Sequence, residues 1–190
     1  MAATTQARPA RSGLILAMLL AVASLGQTPY RTPVSMELAR LEADLQSLSM
    51  IRDVGRLDGA MAGAGIEDPE LALHIFAAAA REGLDPWLLA AVVAVESRGE
   101  PFARSARGAL GPAQVRWAVW HADLPPELRE ANPYEKRSNV LAGARILRLK
   151  IGEAGSLWGG LDRYSGGARV YPEKVLRLAE ELRLRYWKAR

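Results

Sequence analysis

From Asp68 onward the apolar positions recur at helical spacings, and nowhere do they alternate as a half-buried strand requires. Asp68-Pro69 joins an N-capping carboxylate to a first-turn proline, and Gly83 stops the helix that follows. Asp85-Pro86 repeats the start signal at once. Residues 87–95 (WLLAAVVAV) are apolar on every side, the pattern of a helix buried in a core, and Glu96-Ser97-Arg98-Gly99 ends it. The glycines and prolines of 100–114 predict a structured loop. Further helices are predicted over 139–150, 157–164 and 172–187, the last with Val175, Leu178, Ala179, Leu182 and Tyr186 on one face. The expected fold class is all-α.

Upstream, Leu38, Leu41, Leu45 and Leu48 give a short amphipathic helix with one apolar seam. Two heptads fall short of the roughly three or four a coiled coil needs, so the seam is expected to lie on the main domain or on a partner. Gly55, Gly59, Gly63 and Gly65 then predict a flexible joint. Before these, Arg8 and Arg11 precede the apolar run 13–25. That run is short against the roughly 20 apolar residues of a membrane-spanning helix, and Ala21-Val22-Ala23 offers small residues for cleavage. The predicted division is a signal peptide or membrane anchor over 1–26, a linker with the amphipathic helix over 27–67, and a catalytic domain over 68–187. Export to the periplasm or cell envelope follows from the first segment; if uncleaved, it would hold the chain at the membrane.

Composition narrows the chemistry. There is no cysteine, which excludes disulfides, thiolate zinc sites, a cysteine nucleophile and a lipoprotein anchor. Two histidines give no metal-ligating pattern, and no cofactor is called for. The net charge of +4 is mild and suits anionic wall polymers or headgroups. Nucleic acid is not an expected partner, because the central helix is apolar throughout and no basic recognition helix exists.

Glu96 is the anomaly, because nine apolar residues run directly into its carboxylate at a helix C-terminus. Desolvation disfavours the charged form, and the negative end of the helix dipole repels it. A raised pKa is therefore predicted, leaving a carboxylic acid able to protonate a glycosidic oxygen. The alternative is a glutamate that ends a helix and turns into solvent.

The residues that follow read ESRGEPFARSARGALGPAQV. Glu96-Ser97, then Ser105, Gly108, Ala109 and Gly111, then Gln114, resemble the motif of the lysozyme-like lytic transglycosylases, the soluble lytic transglycosylase catalytic domain. Serine falls nine and glutamine eighteen residues after the glutamate, as in that family. Asn139 with Gly143 resembles its Asn-x-x-x-Gly helix, Tyr164-Ser165-Gly166 its Ala-Tyr-Asn-x-Gly element, and 171–175 (YPEKV) its terminal Tyr-x-x-Lys-Val segment. Pro112-Ala113 stand where Leu-Met is usual, at residues expected to shape a sugar subsite, and Arg163 and Ser165 replace the common Ala and Asn.

The resemblance implies a lysozyme-like helical domain that cleaves the β-1,4 bond between N-acetylmuramic acid and N-acetylglucosamine, leaving 1,6-anhydromuramyl ends. Glu96 would be the single acid/base. Ser105, Gln114, Tyr164, Asn139 and Ser97 would bind the substrate, with Tyr164 also orienting Glu96. Gly108 and Gly111 would let the loop approach the glycan. Peptidoglycan strands are the implied partner, and a cell-wall or secretion-machinery protein is a further candidate. The rival readings are a hydrolytic muramidase and a catalytically impaired glycan-binding or secretion-associated protein. Trp117, Trp120 and Trp158 are candidates for a sugar groove or the core, whereas a hydrolytic triad of Ser105, His121 and Asp123 lacks a nucleophile elbow.

Overall fold

A computed structural model describes residues 33–188. The predicted signal segment, the first residues of the linker (27–32), Ala189 and Arg190 lie outside the described residues. Among those described there are eight helices: α1 (Pro33–Ala62), α2 (Pro69–Glu82), α3 (Pro86–Ser97), α4 (Trp117–Trp120), α5 (Pro126–Arg129), α6 (Lys136–Ala154), α7 (Leu157–Tyr164) and α8 (Tyr171–Lys188). The only β pairing among them is two isolated bridges, Arg104 with Leu110 and Leu110 with Val115. The all-α expectation holds. No helix among the described residues is long and apolar enough to cross a membrane.

Local chemistry explains the starts and stops. The Asp68 carboxylate accepts the Leu71 N–H at 3.0 Å and that of Asp85 accepts the Trp87 N–H at 2.9 Å, each followed by a helix-opening proline. Gly83 closes α2 in the left-handed conformation, at φ 65°. Helix α3 buries Leu88, Leu89, Val92 and Val93 and packs against α2 and α8. Burying such a side chain stabilises by about 1.5–3 kcal/mol, so α3 is the spine of the core. Helices α6 and α7 pack together, and α6 also lies along α2. Two basic side chains of α8 are tied to other elements: Arg183 pairs with Asp85, and Arg185 donates to the Gly63 carbonyl at 2.6 Å.

The predicted joint is helix. Helix α1 runs unbroken for 30 residues through Gly55 and Gly59, and Leu57, Ala60 and Met61 are buried core residues. A glycine inside a helix costs about 1 kcal/mol against alanine. Burial of Leu57 and Met61, at about 1.5–3 kcal/mol each, outweighs that cost. The chain divides into two compact units, 1–48 and 49–190, so the larger one begins well before Asp68. In the described part of the first unit, Leu38, Leu41, Leu45 and Leu48 are exposed.

The loop between α3 and α4 is braced from behind by α6. Asn139 is completely buried; its Nδ2 donates to the carbonyls of Leu110 (2.8 Å) and Pro133 (2.7 Å), and its Oδ1 accepts the Ala113 N–H (2.8 Å). Gly111, at φ 71°, sits so close that a Cβ there would strike the Asn139 amide and approach the Pro133 carbonyl at 2.9 Å. One turn along α6, a Cβ on Gly143 would lie 2.5 Å from the Ala113 Cβ and 3.0 Å from the Tyr164 hydroxyl. Tyr164 donates to the Ala113 carbonyl at 2.8 Å, and Ser97 to that of Pro112 at 2.7 Å.

Two stability measurements check this architecture. Leu57→Ala, at a residue 1% exposed, is expected to cost about 2–5 kcal/mol in urea unfolding, whereas Leu41→Ala, at one 55% exposed, should stay within about 0.5 kcal/mol. Equal effects would refute the inclusion of α1's end in the core. Asn139→Ala strands the Ala113 N–H and the Pro133 carbonyl, while the Leu110 carbonyl keeps the Val115 N–H; at about 1–3 kcal/mol per buried unpaired group it should lower stability by at least about 2 kcal/mol. An unchanged unfolding midpoint would contradict the bracing.

Candidate active site

Glu96 sits in the last turn of α3, on the wall shared by two clefts. The first, about 330 Å³, runs toward Ser105, Gln114, Trp120 and Tyr164. The second, about 530 Å³, runs toward Ile66, Arg98, Lys174 and Leu178. Both volumes fall in the range of about 300–1,000 Å³ usual for ligand sites. The acid therefore lines both clefts and does not turn freely into water.

Burial pushes the Glu96 carboxyl above its ordinary range. Two weaker effects oppose the shift: the hydrogen bond from Tyr171 and the positive charge of Lys174. Tyr171 donates its phenolic O–H to Glu96 Oε1 at 2.6 Å, across 75 residues of sequence. Burial first, and the Glu96 charge second, push the phenols of both Tyr171 and Tyr164 well above the ordinary tyrosine range. Tyr171 consequently remains a donor whatever the state of Glu96.

On the opposite wall, Ser105 Oγ accepts the Ala109 N–H at 3.0 Å, and its own hydrogen is available to an incoming acceptor. Gln114 donates its amide to the carbonyls of Gly111 (3.0 Å) and Ala103 (3.3 Å), which aims its side-chain oxygen away from both and leaves an acceptor for an N–H or O–H. Gln114 also sits at φ 49°, a left-handed conformation that costs a non-glycine residue about 1–3 kcal/mol and is held by the turn from Gly111 to Gln114. Trp120 lines the same cleft, with the Lys150 ammonium 4.8 Å from its ring centre.

Of the six residues singled out from sequence, the structure brings Glu96, Ser105, Gln114 and Tyr164 together around the first cleft, and Ser97 lines the second. Tyr164, expected to orient the acid, instead bonds the Ala113 backbone; the phenol on Glu96 belongs to Tyr171. Asn139 is not on the cleft surface, because its amide is wholly engaged by loop backbone. Ser97 likewise turns its hydroxyl to Pro112. Gly111 faces Asn139 and not open space. Pro112 and Ala113 are buried and line neither cleft, so this departure alters the packing under the loop, where Ala113 leaves room for the close approach of α6. Trp117 belongs to the core, Trp158 is exposed away from both clefts, and His121 and Asp123 are exposed.

Tyr171 and Lys174 carried a motif match in the sequence but no role. Their place beside Glu96 depends on α8 packing against α3, which no local spacing encodes.

Comparison with known proteins places these features in a family. Residues 74–177, more than half of the chain, match the model of the transglycosylase SLT domain. A protein named "Transglycosylase" from Enterobacteria phage PRD1 is 34% identical over 112 residues, covering 54% of this chain and 40% of the phage protein. The match thus spans less than half of that relative's length. No solved structure matches the chain. Since the matched interval holds Glu96, the loop facing it and the tyrosine bonded to it, the chain belongs to the transglycosylase SLT domain family.

Proposed function

We propose that this chain is an exported peptidoglycan lytic transglycosylase that cleaves the β-1,4 bond between N-acetylmuramic acid and N-acetylglucosamine. One observation carries the reading. Among the described residues, Glu96 is the sole carboxylate lining either cleft, and burial favours its protonated form. Glycosidases that use a protein nucleophile or a protein-activated water need two carboxyl groups about 5–9.5 Å apart. A single acid fits a route in which the substrate supplies the rest.

In that route Glu96 gives its proton to the glycosidic oxygen as the bond to the muramyl anomeric carbon breaks. The muramyl N-acetyl carbonyl stabilises the cation from within the sugar. Glu96, now ionised and held by Tyr171 and Lys174, takes the proton of the muramyl 6-hydroxyl, whose oxygen closes onto the anomeric carbon. The carboxyl ends as it began, and the product carries a 1,6-anhydro ring. The Ser105 hydroxyl and the Gln114 side-chain oxygen are the groups best placed to fix an acetamide or hydroxyl of the glycan. Tyr164, Asn139 and Ser97 act through the loop they brace, not by touching sugar. Peptidoglycan lies outside the cytoplasm, which is the reason to propose export.

Glu96→Gln should keep the fold and lower turnover of purified peptidoglycan by about 10²–10⁴-fold, the usual range for loss of a general acid. Mass analysis of wild-type digests should find anhydromuramyl ends. Reducing ends alone would favour the muramidase, and equal clearing by wild type and variant would end the enzymatic reading.

The pH dependence has a definite sign. Glu96 starts the reaction protonated, so kcat/KM should fall as pH rises through its elevated pKa. Tyr171→Phe removes a hydrogen bond that favours the ionised form, so the falling limb should move to higher pH. A limb that stays put or moves down would refute Tyr171's role. The folded protein also binds the Glu96 proton more tightly than the unfolded chain does, so stability is lost as pH rises across that interval. Glu96→Gln should therefore be more stable than wild type at neutral pH, with the gap closing toward the ordinary carboxylate range.

A further inference from the structure

The first cleft is strongly cationic for a chain whose net charge is only +4. Arg107, Arg116, Lys150 and Arg163 all line it. Lys150 pairs with Glu153 at 2.8 Å, and Arg163 reaches the same carboxylate only at 3.7 Å. Arg107 and Arg116 are exposed and make no ion pair among the described residues. Glu96, the cleft's one carboxylate, does not offset them while it holds its proton. Four cations thus face one lining carboxylate and one outside it.

A neutral sugar backbone needs hydroxyl and acetamide partners, which Ser105 and Gln114 offer; it has no use for guanidinium groups in excess. The muramyl residue, however, bears a lactyl ether ending in a carboxylate, or in a peptide that carries several. Guanidinium is the side chain best matched to a carboxylate, through paired N–H donors. Arg163 also stands where the resembling family commonly has alanine, so this charge is a feature of the present chain.

We propose that Arg107, Arg116 and Arg163 form an anion subsite on the cleft rim that recognises carboxylates borne by the muramyl side arm of the glycan. This rests on the glycan-cleaving reading above and adds that the enzyme discriminates strands by the charge of their side arms. The subsite acts on substrate capture. It lies on flexible, exposed side chains and adds nothing to the proton transfers at Glu96.

The test compares wild type with the Arg107→Gln, Arg116→Gln, Arg163→Gln triple variant on four polymers: peptide-bearing strands, strands stripped of peptide by an amidase, and each of these with its carboxylates capped as amides. The variant's KM should rise roughly five- to twentyfold on uncapped strands, which is about 0.3–0.6 kcal/mol for each of three exposed pairs, with kcat little changed. On capped strands the two proteins should match, which also verifies the variant's fold. At roughly 1 M salt, where the screening length is about 3 Å, the difference should shrink. A KM increase on peptide-bearing strands alone assigns the peptide as the source of the carboxylate, an increase on stripped strands alone assigns the lactyl group, and an increase on both shows that the subsite accepts either. Wild-type KM indifferent to capping, or an equal loss on capped strands, overturns the subsite. Should no strand be cut at all, co-sedimentation of the same proteins with the four polymers makes the comparison by binding, so failure of the reaction and failure of the subsite remain distinct.

Discussion

Placing an ionisable group where an apolar helix runs out sets the terms for the rest of this molecule. Glu96 ends α3, whose side chains bury Leu88, Leu89, Val92 and Val93, and so it meets little water on the core side. The ionised carboxylate loses solvation there, which favours the acid. A group that had only this influence would give up its proton reluctantly. The short bond from Tyr171 and the charge of Lys174 work the other way, making the ionised form accessible after the proton leaves. The proposed cycle, acid first and base afterwards, needs both tendencies in moderate balance. Tyr171 can supply its part steadily because its own proton is held so firmly.

That balance matters only if the opposite wall stays in place, and the loop forming it has almost no secondary structure of its own. Its two isolated bridges fold it back upon itself, but the rigidity comes from α6. Asn139 ties three loop and turn positions at once, and the absence of side chains at Gly111 and Gly143 lets the backbone approach. Ala113 has its N–H held by Asn139 and its carbonyl by Tyr164, immediately before Gln114. The left-handed backbone at Gln114 is strained and persists because its neighbours are pinned on both sides. Residues that the family pattern marks are thus of two kinds here: some face the groove, and others hold the facing ones still.

The outer part of the groove follows different physics. Its guanidinium groups are exposed and screened by solvent, so each interaction is worth little alone. Their effect is collective, a positive rim around a cleft whose one carboxyl, Glu96, is pushed by burial toward its neutral form. Under the proposed function, sorting of strands and cleavage of the bond can therefore vary separately.

What the chain's order of residues determined unaided was local or nearly so. Aspartate–proline starts, the Gly83 stop and the unbroken apolar run of α3 are short-range signals, and all reappeared as caps, turns and burial. Glu96 was legible because its polarity conflicts with the nine residues before it. The glycines of α1 misled, since a glycine weakens a helix by an amount that distant packing of Leu57 and Met61 overcomes. Only the tertiary structure decided that Tyr171 and not Tyr164 meets the acid, that Asn139 and Pro112-Ala113 lie behind the groove, and that four cations converge on its rim. Each of these depends on which helix packs against which, an outcome of total burial over the whole core that spacing along the chain does not contain.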